Sequence, residues 1–305
     1  QGRRTRPRTL PPARKAMELT DINEIRELLS RHGFRFSKSM GQNFLTASWV
    51  PRQIADAACL DEGTGVLEVG PGIGCLTEQL AQRAKKVVSV ELDKSLRGVL
   101  AETLRDYDNV EIIFGDVLRQ DLRALAAEYF DGLTPRICAN LPYNVTSPLL
   151  TAFIEAGCFE TITVMIQREV ARRICAEPGT AEYGAFGIFV RWYMDTELLF
   201  DVPPSCFIPQ PKVTSSVIRL TRRAERPAEV RDERLMFRVI RAAFNQRRKT
   251  LVNAISSQRG EFTKEQAENA LKNCGFDPRI RGEMLDIGGF AKISDELNSI
   301  DMSDL

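Results

Sequence analysis

The fold of this chain is decided by the stretch Val66-Leu67-Glu68-Val69-Gly70-Pro71-Gly72-Ile73-Gly74. Four residues typical of a strand run directly into a glycine-rich turn, and a helical pattern follows from Leu76 to Arg83. Glycine permits a tight turn and a close approach of the backbone to a ligand, and the start of the next helix presents free N–H groups. The stretch therefore predicts a strand, turn and helix of an α/β sheet with a ligand at the turn.

The spacing of the glycines argues against one class of cofactor. The turn reads G-x-G-x-G, and Cys75 stands where a dinucleotide-binding fingerprint requires its last glycine. This departure argues against a pyrophosphate cradle, and so against an NAD-dependent oxidoreductase. It favours a nucleoside cofactor that carries no phosphate.

Polar residues also follow the next three predicted strands. Glu91, Asp116 and Asn140 come at or just after the ends of strands at Val87–Val90, Val110–Phe114 and Pro135–Ala139. Together with Gly70 they are expected at the carboxyl edge of a parallel sheet, where open α/β folds bind ligands. Glu91 could accept hydrogen bonds from both ribose hydroxyls, and Asp116 could accept one from an adenine amino group.

The stretch Asn140-Leu141-Pro142-Tyr143 has the composition of a socket for the amino group of a base. Such an amine attacks poorly because its lone pair is delocalised into the ring, unless acceptors hold its hydrogens. The Asn140 side chain and the Leu141 carbonyl offer two acceptors, and Pro142 restricts the backbone between them and Tyr143. The Tyr143 ring could stack on a base, which is worth about 1–3 kcal/mol. The alternative is an ordinary turn with a surface tyrosine.

Length and composition bound the class of protein. The 305 residues, 43% of them hydrophobic, predict one large domain and a smaller one. Seven cysteines without a C-x-x-C pair argue against a disulfide framework, and the single histidine, His32, argues against a metal site. No apolar run approaches the roughly 18 residues that a membrane span needs. We therefore expect a cytoplasmic protein without a metal.

Positive charge is concentrated in two regions although the net charge is only +1. Residues 1–16 hold six bases and no acid, so the remainder has 36 bases and 41 acids, a net charge of −5. This head is predicted to be disordered, and it is either a nucleic-acid arm or a remnant translated upstream of Met17. The second region, Arg222–Lys249, holds ten bases and four acids.

The order of the motifs resembles that of S-adenosylmethionine-dependent N6-adenine methyltransferases: Glu68–Gly74, Glu91–Asp93, Gly115-Asp116 and Asn140–Tyr143. Three further segments resemble the KsgA (RsmA) family of small-subunit rRNA adenine dimethyltransferases: Gly41–Leu45, Val202–Val213 and Phe244–Thr250. The resemblance extends from about Lys38 into the C-terminal region and leaves out residues 1–16.

The resemblance implies a Rossmann-like methyltransferase domain of the α/β class at residues 17–221, with a mostly parallel seven-stranded sheet. A small all-α domain that binds rRNA would follow at residues 228–305. The implied reaction is transfer of methyl groups from S-adenosylmethionine, without a metal, to N6 of two adjacent adenines in a loop near the 3′ end of 16S rRNA. The implied partner is this rRNA within the small subunit or its precursor, and we expect a monomer.

The resemblance also implies roles for individual residues. The cofactor would be bound by Asn43, Leu45, Gly70, Gly72, Glu91, Asp116 and Asn140. Asn140 and the Leu141 carbonyl would hold the target N6, and Tyr143 and Phe207 would sandwich the target ring. Phe207 lies in a proline-rich loop, where it could instead be a hydrophobic plug.

Helical periodicity without strand character follows Leu220. In the helix predicted around Phe237 and Ile255, Arg248 projects onto the apolar stripe, so either it pairs with a buried acid or the helix breaks near it. Arg247 and Lys249 lie off the stripe and either contact phosphate or face solvent.

Two other functions remain open. One is a large-subunit rRNA adenine methylase that confers antibiotic resistance. The other is a ribosome-assembly or transcription factor that keeps the fold as a binding module without catalysis.

Overall fold

The computed structural model describes residues 17–35, 42–258 and 261–301. The basic head at 1–16 lies outside the described residues, and so do Lys38, where the family resemblance begins, and Gly41 of the Gly41–Leu45 segment.

Nine strands occur in the described part of the chain. They are β1 (Phe44–Leu45), β2 (Thr64–Val69), β3 (Lys86–Glu91), β4 (Val110–Phe114), β5 (Thr134–Asn140), β6 (Thr161–Gln167), β7 (Met194–Val202), β8 (Phe207–Ile208) and β9 (Ser215–Arg222). Seven of them form one sheet in the order β4-β3-β2-β5-β6-β9-β7, and β1 pairs with β8 in a separate two-stranded sheet. β9 runs opposite to the other six strands of the large sheet, so the predicted mostly parallel seven-stranded sheet is confirmed.

Twelve α-helices lie within the described ranges. They are α1 (Ile22–Arg31), α2 (Trp49–Ala57), α3 (Cys75–Ala81), α4 (Arg97–Thr103), α5 (Leu122–Tyr129), α6 (Thr146–Ala156), α7 (Arg168–Cys175), α8 (Ala185–Tyr193), α9 (Glu233–Asn245), α10 (Leu251–Ser256), α11 (Lys264–Asn273) and α12 (Ile287–Asp301). Local sequence explains several starts: the Asp21 side chain accepts from the N–H groups of Asn23 and Glu24 at the head of α1.

The core of the sheet is buried on both faces. All six residues of β2 are buried, as expected for a central strand of a parallel sheet that is covered on both faces. One face packs against α1 to α4 and the other against α5 to α8. Because β2 to β5 are parallel, their carboxyl ends meet at one edge, and this edge carries the predicted polar residues.

The C-terminal helices form a third hydrophobic cluster, which also includes Tyr183 just before α8 and Trp192 of α8. No strand occurs from 223 to 258 or from 261 to 301, as predicted. Of the two alternatives for Arg248, the break is correct: α9 ends at Asn245, α10 begins at Leu251, and Arg248 is exposed between them. The exact domain boundaries stay a prediction.

Candidate active site

A cavity of about 240 Å³ lies at the carboxyl edge of the sheet. Its walls contain nine of the predicted site residues: Asn43, Leu45, Gly70, Gly72, Glu91, Asp116, Asn140, Leu141 and Tyr143. Phe207 does not line this cavity. The sheet therefore brings together residues that are dispersed over about a hundred positions of sequence.

The glycine turn forms the floor of the cavity. Gly70 and Gly72 have φ values of +70° and +61°, which residues with a side chain rarely adopt. A Cβ built on Gly70 would meet no heavy atom within 4 Å, whereas one built on Gly72 would lie 3.1 Å from Cε1 of Phe44. The backbone at Gly70 is thus open to a ligand, and the Phe44 ring covers the turn beside it.

The Glu91 carboxylate is oriented by the backbone. Its Oε1 accepts from the N–H of Asp93 at 2.8 Å, and its Oε2 accepts from the N–H of Gly72 at 3.2 Å. Each oxygen keeps a further acceptor position, so a pair of ribose hydroxyls could be bound. Burial raises the pKa of Glu91, and the bonds from Asp93 and Gly72 oppose that rise. Asp93 itself caps the following turn, where its side chain accepts from the N–H of Ser95.

Sequence reasoning missed an apolar rim beside these acids. Leu92 is 55% exposed and Leu118 is 43% exposed, and both line the cavity. Asp116 accepts from the N–H of Leu118 at 3.0 Å, which fixes the position of that residue. These two exposed leucines provide apolar faces for a flat ring, and the available sequence signal was their position one residue after Glu91 and two residues after Asp116.

The Asn140 side chain is free to bind a ligand. It lies at the end of β5 on the cavity wall, and it has no hydrogen-bond partner within the described ranges. The N–H of Leu141 donates to the Met165 carbonyl at 3.1 Å, so the peptide that follows Asn140 is anchored to β6. Asn140 and Leu141 thus both lie on the cavity wall, with the peptide between them held by β6 and the Asn140 side chain unpaired within the described ranges.

Tyr143 is held on two sides. Its hydroxyl lies 2.6 Å from Oγ of Ser215 at the start of β9, and the Thr146 hydroxyl donates to the carbonyl of Pro142 at 3.1 Å. Burial raises the pKa of Tyr143, while the bond to Ser215 opposes the rise. Sequence reasoning missed Ser215 and Thr146, which hold the tyrosine and its loop in place.

Phe207 lies in β8, where it pairs with Leu45 of β1. Its side chain is only 5% exposed and belongs to the hydrophobic cluster on the α1–α4 face of the sheet. This burial agrees with the plug alternative. Stacking of Phe207 on a target ring stays a prediction.

Glu68 is a buried carboxyl on the wall of the cavity. Its Oε2 accepts from the hydroxyls of Thr77 and Ser89, each at 2.7 Å. Burial raises the pKa of Glu68 to about 7, and these two hydrogen bonds only partly oppose the rise. Folding therefore favours the protonated form of this carboxyl.

We expect Glu68→Gln to stabilise the protein in a pH-dependent manner. The unfolded chain releases the Glu68 proton near pH 4.5 and the folded chain near pH 7, so the wild type loses stability as pH rises through this window. The gain in free energy of unfolding from the substitution should be larger by about 2 kcal/mol at pH 8 than at pH 5. Urea unfolding at both pH values measures it. Glu62→Gln, at an exposed loop position, is the control. If Glu68→Gln raised the free energy of unfolding equally at both pH values, the expectation would be contradicted.

The described ranges contain neither a cluster of metal ligands nor a helix that could span a membrane. No three His, Cys, Asp or Glu side chains there are close enough together to hold a metal ion. No helix in the same ranges combines the length and apolar character needed to cross a membrane.

Comparison with known proteins links this geometry to one family. The model of a family described as ribosomal RNA adenine dimethylase matches residues 33–298. The ribosomal RNA small subunit methyltransferase A of Geobacillus thermodenitrificans is 50% identical over 276 residues, which cover 89% of this chain and 94% of that protein. The protein of the same name from Streptococcus gordonii is 44% identical over 287 residues, which cover 93% of this chain and 99% of that protein.

Solved structures share the fold. The 23S rRNA methyltransferase ErmE is 26% identical with a TM-score of 0.63, and the match covers 84% of this chain and 99% of that one. A dimethyladenosine transferase from Plasmodium falciparum is 24% identical with a TM-score of 0.71, and the match covers 84% of this chain and 97% of that one.

Proposed function

The chain belongs to the ribosomal RNA adenine dimethylase family, and from this we propose that it transfers methyl groups from S-adenosylmethionine to N6 of two adjacent adenines near the 3′ end of 16S rRNA. The names of its relatives support the small subunit as the substrate. The observation that carries the reaction type is the pair of acceptor residues Asn140 and Leu141 on the wall of a cavity that the glycine turn, Glu91 and Asp116 also line.

The residues of the cavity fit S-adenosylmethionine. Open space at Gly70 suits the methionine part, the free acceptor positions of Glu91 suit ribose, and Asp116 with the Leu92 and Leu118 rim suits adenine. Asn43 and Leu45 lie on the wall that would close over the cofactor. No phosphate ligand is needed, which agrees with the departure from the dinucleotide fingerprint.

The protein's contribution to the transfer is positioning. Asn140 and the Leu141 carbonyl accept hydrogen bonds from the target N6 and turn its lone pair toward the methyl donor. When bound, S-adenosylmethionine supplies a methyl group that its sulfonium already activates. Tyr143, fixed by Ser215, supports the target ring by stacking. The N6 proton leaves to water afterward, so no strong general base is required.

The base must leave its stack to reach this cavity, which is least costly in an RNA loop. The C-terminal helices are proposed to hold the surrounding rRNA. Arg247, Arg248 and Lys249 are exposed in the break between α9 and α10. Arg247 donates to the carbonyls of Ala181 and Tyr183, so its phosphate contact would use the remaining donors. We further propose that the protein acts as a cytoplasmic monomer on the small subunit or its precursor.

One experiment separates the proposal from its alternatives. Small subunits that lack dimethyladenine are incubated with the protein and S-adenosylmethionine carrying labelled methyl groups, and the modified rRNA is analysed by mass. We expect two dimethylated adenines in 16S rRNA. Label in 23S rRNA instead would indicate a large-subunit methylase, and no label in either would indicate a binding module without catalysis.

We expect Glu91→Ala to weaken cofactor binding about 30-fold, or about 2 kcal/mol, because hydrogen bonds to a charged acceptor are lost. Titration with S-adenosylhomocysteine measures the affinity. Glu91→Gln is the matched variant, since it keeps the shape and one acceptor oxygen, and it should lose less. Because Glu91 also holds the N–H of Gly72, urea unfolding of both variants is needed as a control. Unchanged affinity would remove Glu91 from the ribose.

A further inference from the structure

Asn140, Leu141 and Tyr143 form the proposed slot for the target adenine. The carboxyl edge of the sheet continues beyond this slot. Next to β5 stands β6, which ends at Gln167, and Gln167 pairs with Ser215 at the start of the antiparallel β9. Ser215 is the residue that holds the Tyr143 hydroxyl at 2.6 Å. Side chains that follow β6 or precede β9 therefore border the slot on the side away from the cofactor cavity.

Two basic residues occupy this border. Arg168 follows β6 directly, and its backbone N–H donates to the Thr214 carbonyl at 3.0 Å, which fixes its position beside β9. Lys212 lies three residues before Ser215. The Arg168 side chain is 43% exposed and Lys212 is exposed, so solvent or a ligand can reach both.

Neither cation has a strong partner. Arg168 Nη1 lies 3.6 Å from Oδ2 of Asp201, and both side chains of this pair are nearly half exposed. Asp201 also accepts from the Ser216 hydroxyl at 2.5 Å, so its other oxygen is already used. Lys212 forms no ion pair within the described residues. By comparison, Arg219 on the same strand as Ser216 meets its acid at 2.6 Å.

The chemistry that fits this border is a nucleic-acid backbone. A base that enters the slot leaves its ribose and flanking phosphates outside, next to the residues around Ser215. A guanidinium binds phosphate through two parallel hydrogen bonds, and a lysine ammonium binds it as a point charge. A loose, exposed contact such as that of Arg168 with Asp201 is easily exchanged for a phosphate.

We propose that Arg168 and Lys212 bind the phosphates that flank the target adenine, and that Asp201 holds the Arg168 side chain over β9 until a phosphate replaces it. This inference rests on the proposed function, since it assumes an RNA base in the slot. Arg168 and Lys212 position the substrate, and neither takes part in the chemical step.

The test compares Arg168→Ala and Lys212→Ala with Lys85→Ala. Lys85 is an exposed lysine that precedes β3, so it lies at the opposite edge of the same sheet. Binding to small subunits that lack dimethyladenine is measured at several KCl concentrations, together with KM and kcat. Each border variant should bind about tenfold more weakly, and its salt slope should be shallower by about 0.7–0.9. KM should rise while kcat and the affinity for S-adenosylhomocysteine stay within about threefold of wild type.

Asp201→Asn provides a readout that a purely structural ion pair would not give. Removing this acid should tighten binding to the subunits, and the gain should shrink in the Arg168→Ala background because the two residues are coupled. If Asp201→Asn and Arg168→Ala both weaken binding, the pair is structural and the proposal is overturned. The proposal is also overturned if Arg168→Ala and Lys212→Ala match Lys85→Ala.

The wild-type protein distinguishes this inference from the function beneath it. If the wild type transfers methyl groups to the subunits but Arg168→Ala and Lys212→Ala bind them like the wild type, only the phosphate site is contradicted. Absence of transfer by the wild type contradicts the proposed function, and the phosphate site falls with it.

Discussion

Asn140→Ala is expected to slow methyl transfer by about 10²–10³-fold, by analogy with removal of a single hydrogen-bonding group that acts in a transition state. The Asn140 side chain faces the cavity without a partner among the described residues, so its acceptor is available to the target amine. That acceptor is used chiefly as positive charge develops on N6. Cofactor affinity should therefore fall much less than the rate.

Single-turnover transfer to small subunits and titration with S-adenosylhomocysteine give the two quantities. Asn144→Ala is the matched control, because Asn144 is exposed and lies four residues further along the same loop. Asn140→Asp retains an acceptor oxygen and should recover part of the rate. Equal losses of rate and cofactor affinity in Asn140→Ala would assign the side chain to the cofactor instead of the target.

Local signals explain why so much of the cavity could be predicted from the sequence. Gly70, Glu91, Asp116 and Asn140 each stand at the end of an apolar run, and parallel strands bring such ends to one edge. The observed strands differ little from the predicted ones, with β3 extending over Glu91 and β5 over Asn140. The fold class follows from the same repeated pattern of strand, polar tip and helix.

The remainder depends on contacts between segments that are distant in sequence. The strands β1 and β8 have two residues each, so they carry no periodicity, and their pairing is what buries Phe207. Likewise, β7 has an irregular register near Leu198 and an exposure pattern that does not alternate, which conceals its strand character. Ser215 could not be linked to Tyr143 because only the antiparallel pairing of β9 with β6 places it there.

Phe207→Ala is expected to lower the free energy of unfolding by about 3–5 kcal/mol, because it removes a large side chain from a packed core. The ring is 5% exposed, and it belongs to the same cluster as Leu45 and Phe44, which line the cofactor cavity. Loss of the ring should therefore also weaken cofactor binding, because the β1 segment would lose support. Urea unfolding measures the first effect and titration with S-adenosylhomocysteine the second.

Phe207→Leu separates packing from stacking on the target ring. Leucine keeps most of the apolar volume, so the loss of stability should be well below that of Phe207→Ala, but it provides no aromatic face. If the Phe207 ring only packs in the core, Phe207→Leu should transfer methyl groups at nearly the wild-type rate. If the ring also stacks on the adenine, the rate of transfer by Phe207→Leu should fall about tenfold or more, while its free energy of unfolding stays nearly unchanged. The burial of Phe207 outside the cavity wall favours the first outcome. An Ala variant as stable as the wild type would contradict the packing role, because the wild-type ring would then contribute little to the core.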